Sequence, residues 1–192
     1  MADRYTVAAL CGSLRRDSWN RKLLAATAAL AEPRLAIAEA PIRDLPHFDE
    51  DLEREPWPSA VLALGEAVRR ADAVMIVTPE YNAGIPGPLK NAIDWLSRAT
   101  PAGPAPIAGK PVAMLGASPG MLGTARAQSQ LRLILQNLQL PVLPGPNVFV
   151  ANAASRFGAD GSITDEATRA MVETMLDRFV AWIAQVAPRP RS

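Results

Sequence analysis

A chain of 192 residues is the length of one ordinary domain, and a 49% hydrophobic share supports a packed core where a disordered chain would be poor in apolar residues. Lys and Arg number 20 against 19 Asp and Glu, and the formal charge of +1 excludes a broad electrostatic pull toward nucleic acid or an anionic membrane. Cys11 is the sole cysteine, so an intrachain disulfide and a cysteine-rich metal site are excluded and a reducing cytoplasm is expected. The chain opens without a basic, apolar and small-residue signal series, and no apolar stretch nears the roughly 20 residues that span a bilayer. A soluble, unprocessed protein is expected.

Residues 5–11, YTVAALC, form a short apolar run ended by Gly12 and predict a first strand. After a polar loop, WNRKLLAATAALA carries helical spacing at Leu23, Thr27 and Leu30. LAIAEA at 35–40 predicts a second strand, and the long loop PIRDLPHFDEDLEREPWP leads to a helix over 59–70. ADAVMIVT at 71–78 reads as a strand buried on both faces, because near-continuous Ala, Val, Met and Ile suits a parallel strand covered on either side. A helix over 88–98 starts with Pro88, where no backbone amide is missed. PVAMLGAS at 111–118 predicts strand four, and ARAQSQLRLILQNLQ the next helix. A last strand falls within PVLPGPNVFVA, its start blurred by three prolines. Thr164 is expected to cap a final helix with Asp165 and Glu166 in its first turn and an apolar stripe through Met171, Met175, Phe179, Trp182 and Val186. The 18 prolines punctuate elements and enter no helix interior. Residues 99–110 read as a mobile loop and 185–192 as a frayed tail. With no internal repeat and no Gly- or Ser-rich linker, 1–192 reads as one domain.

Alternating strands and helices predict an α/β, three-layer, flavodoxin-like fold: a five-stranded parallel sheet in the order 2-1-3-4-5 with helices on both faces. In such sheets the ligand sits beyond the carboxyl ends of the strands, at the switch between strands one and three. The loops leaving those strands are the polar-rich ones, GSLRRDSWN and TPEYNAG. In the first, free amides at a helix start form an anion cradle, with Ser13, Ser18 and Asn20 as side-chain donors and Arg15 or Arg16 as the cation. The plainer reading is that Ser18 is an N-cap and the arginines are solvated. The loop has neither the GxGxxG nor the GxxxxGK[ST] spacing, so a phosphate monoester fits better than a dinucleotide or nucleoside triphosphate. In the second loop, Gly84 and the small Ala83 would let a planar ring approach the main chain. Backbone groups of 80–84 and the Asn82 amide offer the mixed donors and acceptors of a flavin edge, and Tyr81 borders it. A proline-bounded turn with a solvated Glu80 is the alternative. SPGMLG at 118–123 converges on the same edge.

GSLRRDSWN, TPEYNAGIPGPLKNAIDW and the later GSITDEA together resemble the NADPH-dependent FMN reductase family, which includes quinone, chromate and azo-dye reductases. The similarity runs from about residue 5 to 183, and the PEYN segment with PLKNAIDW is its specific part. The resemblance implies noncovalent FMN, NADPH or NADH as cosubstrate, a small-molecule electron acceptor (quinone, chromate, azo or nitro compound), ping-pong turnover without a protein base, and a homodimer or homotetramer. It assigns Ser13, Arg15, Ser18 and Asn20 to the phosphate. It places Pro79, Glu80, Tyr81, Asn82 and Gly84 beside the isoalloxazine, with Ser118 and Gly120 at its border. Two positions depart from the family pattern: the third loop reads ASPG where relatives carry more glycine, and Trp19 stands where a smaller aromatic is usual. A noncatalytic FMN carrier or one-electron shuttle is the alternative, and the near-neutral charge weighs toward the enzyme. His47, the sole histidine, sits among Asp44, Asp49, Glu50 and Asp51 with irregular spacing, so a solvated loop is expected there and no metal site. Cys11 reads as a small core residue, Asp94 and Trp95 as packing or subunit contacts, and Arg126 and Arg132 as interface ion-pair candidates with solvated surface as the default.

Overall fold

The apolar runs pair as five parallel strands in the computed structural model, which describes residues 4–186 other than Glu55. The strands are β1 (Tyr5–Cys11), β2 (Leu35–Glu39), β3 (Ala73–Val77), β4 (Val112–Ala117) and β5 (Val148–Val150). The helices are α1 (Trp19–Ala31), α2 (Ser59–Arg70), α3 (Gly87–Leu96), α4 (Ala125–Asn137) and α5 (Glu166–Val186). Strand order is β2-β1-β3-β4-β5, the flavodoxin-like arrangement. Alternate residues of each strand face opposite layers. Val7, Ala9 and Cys11 pack with α1 and α5, whereas Ala8 and Leu10 pack with α2, α3 and α4. Every residue of β3 is fully buried, as its unbroken apolar run requires.

The register sets up the site. Cys11 lies opposite Val77, Val77 opposite Leu115, and Ala117 opposite Val150. The ladder runs one step past the strands: Gly12 N donates to Val77 O at 2.9 Å, Thr78 N to Leu115 O at 2.9 Å, and Ser118 N to Val150 O at 3.0 Å. Three loops therefore leave the sheet side by side. Gly116 makes this possible, because a Cβ there would stand 2.3 Å from the Thr78 carbonyl oxygen and 2.2 Å from Thr124 Oγ1.

Two expectations need correction. Asp165 caps α5 in place of Thr164: its carboxylate accepts the Thr168 amide at 2.8 Å and hydroxyl at 2.6 Å, while the Thr164 amide is committed to the Arg156 carbonyl at 3.0 Å. The buried stripe of α5 keeps Met175 and Phe179 but runs through Val172, Leu176 and Ile183. Trp182 stays at the margin because its indole N–H donates to Pro141 O at 2.8 Å. The 99–110 segment is held to α2, with Arg69 donating to the Thr100 hydroxyl at 2.6 Å and Lys110 Nζ to Arg69 O at 3.0 Å. Of the expected frayed tail, 187–192 lies outside the described residues. No helix is long and apolar enough to cross a membrane among the described residues.

Candidate flavin site at the switch point

A cavity of about 260 Å³ opens where the three loops meet. The first loop contributes Ser13, Arg15, Ser18, Trp19 and Asn20; the second Pro79, Glu80 and Tyr81; the third Ala117, Ser118 and Pro119. Most of the expected site residues thus come together. Asn82, Gly84 and Gly120 do not line the cavity, and Trp19, Ala117 and Pro119 do so although no ligand role was assigned to them. A larger concavity of about 420 Å³ lies along the alanine face of α1, but its charged groups are already committed: Asp160 accepts from the Ser162 amide at 3.0 Å, and Arg169 pairs with Glu173 at 3.1 Å. Donor chemistry, not size, picks out the switch point.

That chemistry is concentrated in the first loop. Among the described residues, none of the backbone amides of residues 13–19 donates to a protein acceptor. They lead into the amino end of α1, where the helix dipole adds positive potential. Ser18 Oγ accepts the Asn20 amide at 3.2 Å, so the plain N-cap reading holds for its lone pair, while its hydroxyl hydrogen is left for a ligand. Ser13 and Ser18 are both nearly buried, at 2% and 4% exposure. The Arg15 guanidinium folds back onto Asp17 O and keeps its remaining donors. The nearby Asp17 carboxylate is neutralised by Lys22 Nζ at 2.8 Å, and that hydrogen bond holds its pKa below the ordinary value. Trp19 stacks on Phe157 with ring centroids 5.8 Å apart, which steadies the loop's exit. Asn20 is used differently from expectation: its Oδ1 accepts Ala117 N and its Nδ2 donates to Ala117 O, both at 2.9 Å. One Nδ2 hydrogen remains.

The second loop is a tight turn. Tyr81 and Gly84 exchange two backbone hydrogen bonds of 3.0 Å, and Asn82 and Ala83 between them have φ of 50° and 63°. Both central residues at positive φ make this a type I′ turn. It consumes the amides of Tyr81 and Gly84 and leaves those of Glu80, Asn82 and Ala83 without a protein acceptor among the described residues. Tyr81 is 48% exposed at the rim. Glu80 is not solvated. Burial pushes its carboxyl pKa up, but hydrogen bonds from the Arg126 side chain and the Ala127 and Arg126 amides outweigh this and hold it below the ordinary value. Arg126 stays on the surface as expected, 57% exposed, while its guanidinium bonds Glu80, and the half-buried Arg132 bonds Asn147 at 3.2 Å. The Cys11 thiol, 3.8 Å from Ser13 O, is pushed up in pKa by burial and offers no thiolate.

Seven unpaired amides, two hydroxyls and an arginine fit a phosphate monoester. The open amides of the second loop and the exposed tyrosine beside them fit a planar, hydrogen-bonding ring, so the residues present suit FMN. A quinone reductase of Pseudomonas putida is 41% identical over 183 residues, covering 95% of this chain and 97% of that protein. A 2-hydroxy-1,4-benzoquinone reductase of a Burkholderia species is 40% identical, covering 92% and 95%. Among solved structures, the FerB flavoenzyme NAD(P)H:(acceptor) oxidoreductase of Paracoccus denitrificans superposes with a TM-score of 0.88 at 41% identity, over 96% of this chain and all of that one. Residues 5–155 match the family described as NADPH-dependent FMN reductase, and the chain belongs to that family.

Proposed function

We propose that this protein is an NAD(P)H-dependent flavoenzyme that binds FMN noncovalently at the switch point and reduces quinones. The observation that carries the reading is the run of seven acceptor-less amides over 13–19 at the head of α1. Quinone-reducing relatives at about 40% identity over nearly the whole chain support the acceptor class.

Bound FMN supplies hydride acceptance from a nicotinamide and donation to an oxidant. The chain supplies everything else. Ser13, Ser18, Arg15 and the first-loop amides would hold the phosphate, and the open amide of Glu80, in the cavity lining, would offer a donor to the negative charge of a reduced ring. Pro79 and Ser118 bound the site from either side, and the half-exposed Tyr81 leaves its rim open to one planar substrate at a time. Such a rim suits alternate occupancy by donor and acceptor. A homodimer or homotetramer is the proposed assembly, supported by the exposed Met121, Leu122 and Leu133 on and beside α4.

Anaerobic titration of FMN-loaded protein with NADPH and NADH tests the reading. Loss of the yellow absorbance on adding nicotinamide, and its return on adding a benzoquinone, are expected. FMN uptake without bleaching by either nicotinamide would make the protein a carrier, and no uptake at all would sink the site.

A further inference from the structure

Helix α4 begins without a side-chain cap of its own. Thr124, the preceding residue, is left-handed at φ 75° and makes no capping bond. The first-turn amides are met by a carboxylate from another loop. Glu80 accepts from Arg126 N at 3.0 Å, from Ala127 N at 3.2 Å and from Arg126 Nε at 2.6 Å, and its side chain is only 6% exposed. One helical turn on, Gln130 Nε2 donates to Ala83 O at 3.2 Å. A Cβ on Gly84 would lie 3.0 Å from Gln130 Oε1, a tight contact that the tip of the Gln130 side chain would have to yield to. A single face of α4 therefore grips the 80–84 segment at two points.

We propose that Glu80 and Gln130 are positioning residues that lock the 81–84 turn against α4 and so set where the ring-side amides and Tyr81 stand relative to the phosphate cradle. The proposal rests on the FMN reading above. Its physical basis is that Asn82 and Ala83 both occupy the left-handed region, which a non-glycine residue enters at a cost, so the turn needs outside contacts to persist. A turn released from α4 would have to be ordered by the ligand at the moment of binding, and affinity would fall by that cost. Glu80 also fills the amino end of α4, so of the two helix starts at this edge only that of α1 is left for an anion.

Glu80→Gln, Glu80→Asp and Gln130→Ala test this through three readouts at 25 °C: the FMN dissociation constant, the flavin midpoint potential and the melting temperature of the apoprotein. Glu80→Gln is expected to weaken FMN about tenfold and Gln130→Ala about threefold. The double variant should lose less than the product of the two, since both hold one turn. Glu80→Asp, which keeps the charge, should recover part of the loss, and the potential should shift in Glu80→Gln because the ring-side donors move. A purely structural role would lower the melting temperature while the dissociation constant and potential stayed within twofold and a few millivolts of wild type, and that result overturns the proposal. Should Glu80→Gln fail to fold, the surface change Gln130→Ala decides alone by the same criterion. Wild-type protein that takes up no FMN would remove both readings; wild-type uptake with unchanged variants removes only this one.

Discussion

Ala83 sits at φ 63° in the second central position of a type I′ turn, where Asn-Gly is the favoured pair and this chain has Asn-Ala. The left-handed conformation costs an alanine roughly 1–2 kcal/mol. Glycine removes that cost but gains about 0.4–1 kcal/mol of unfolded-chain entropy. The first term wins, so Ala83→Gly is expected to raise stability by about 0.5–1 kcal/mol. A higher urea midpoint at an unchanged slope would show it, and a lower midpoint would mean that the turn is not strained at this residue. The same turn marks the limit of what single residues disclose. The crowding of Gly, Asn and Pro over 78–96 identified a built loop at a strand end. The neighbour of Gly84 was not readable there, because the Gln130 side chain that lies against it belongs to a helix far along the chain. The solvated alternative for Glu80 could not be set aside from the loop alone for the same reason: its three donors come from Arg126 and Ala127. Local spacing discloses amides and hydroxyls within one loop, whereas partners brought in by the fold stay hidden.

Between elements, Asn20 is the tie that brings the head of α1 to the end of β4. Its amide satisfies both the N–H and the C=O of Ala117 at a point where the sheet ladder has ended and the residue is 3% exposed. Asn20→Ala would strand both groups in the interior, and each buried unsatisfied group costs about 1–3 kcal/mol, for a combined loss of about 2–4 kcal/mol allowing for partial rescue by water. Thermal unfolding would read this loss, and the freed helix start should also weaken FMN binding. A variant as stable as wild type would show the bridge to be redundant. The first four strands were legible to within two residues because burial leaves a near-continuous apolar run, as in Ala73–Val77, whereas the prolines of 141–151 hid the short β5 (Val148–Val150). The start of α5 was not legible either, since Thr164 and Asp165 are both competent caps and it is the Asp165 carboxylate that takes the Thr168 amide and hydroxyl. Its stripe was misread for a related reason. Trp182 is large and apolar by composition, but its indole needs an acceptor and finds one at Pro141 on the rim of the core.

For the whole molecule, a near-zero net charge leaves little long-range repulsion, so its response to acid is governed by individual carboxylates. Glu80 stands apart from the exposed ion pairs because its side chain is almost fully enclosed, and screening by water and salt acts on it least. Its folded pKa lies below the ordinary 4.5. A depressed carboxylate stabilises the folded state at any pH above the ordinary value, and that contribution disappears as pH falls through the folded one. Asp165, held down first by the Thr168 hydroxyl, and Asp160, held down by the Ser162 amide, act with the same sign from their ordinary 3.8. Wild-type protein should therefore hold a constant stability from neutral pH to about 5 and lose it steeply below about 4.5. Glu80→Gln lacks one titrating group, so it should start less stable at pH 7 and decline more gently, and the gap between the two proteins should narrow as the wild-type carboxylate takes up its proton. Urea midpoints across pH 7 to 3 in high salt, where exposed pairs are screened, isolate the enclosed one. A gap of constant width through the acid range would mean that the Glu80 charge contributes nothing to holding the turn, and that packing alone seats it against α4.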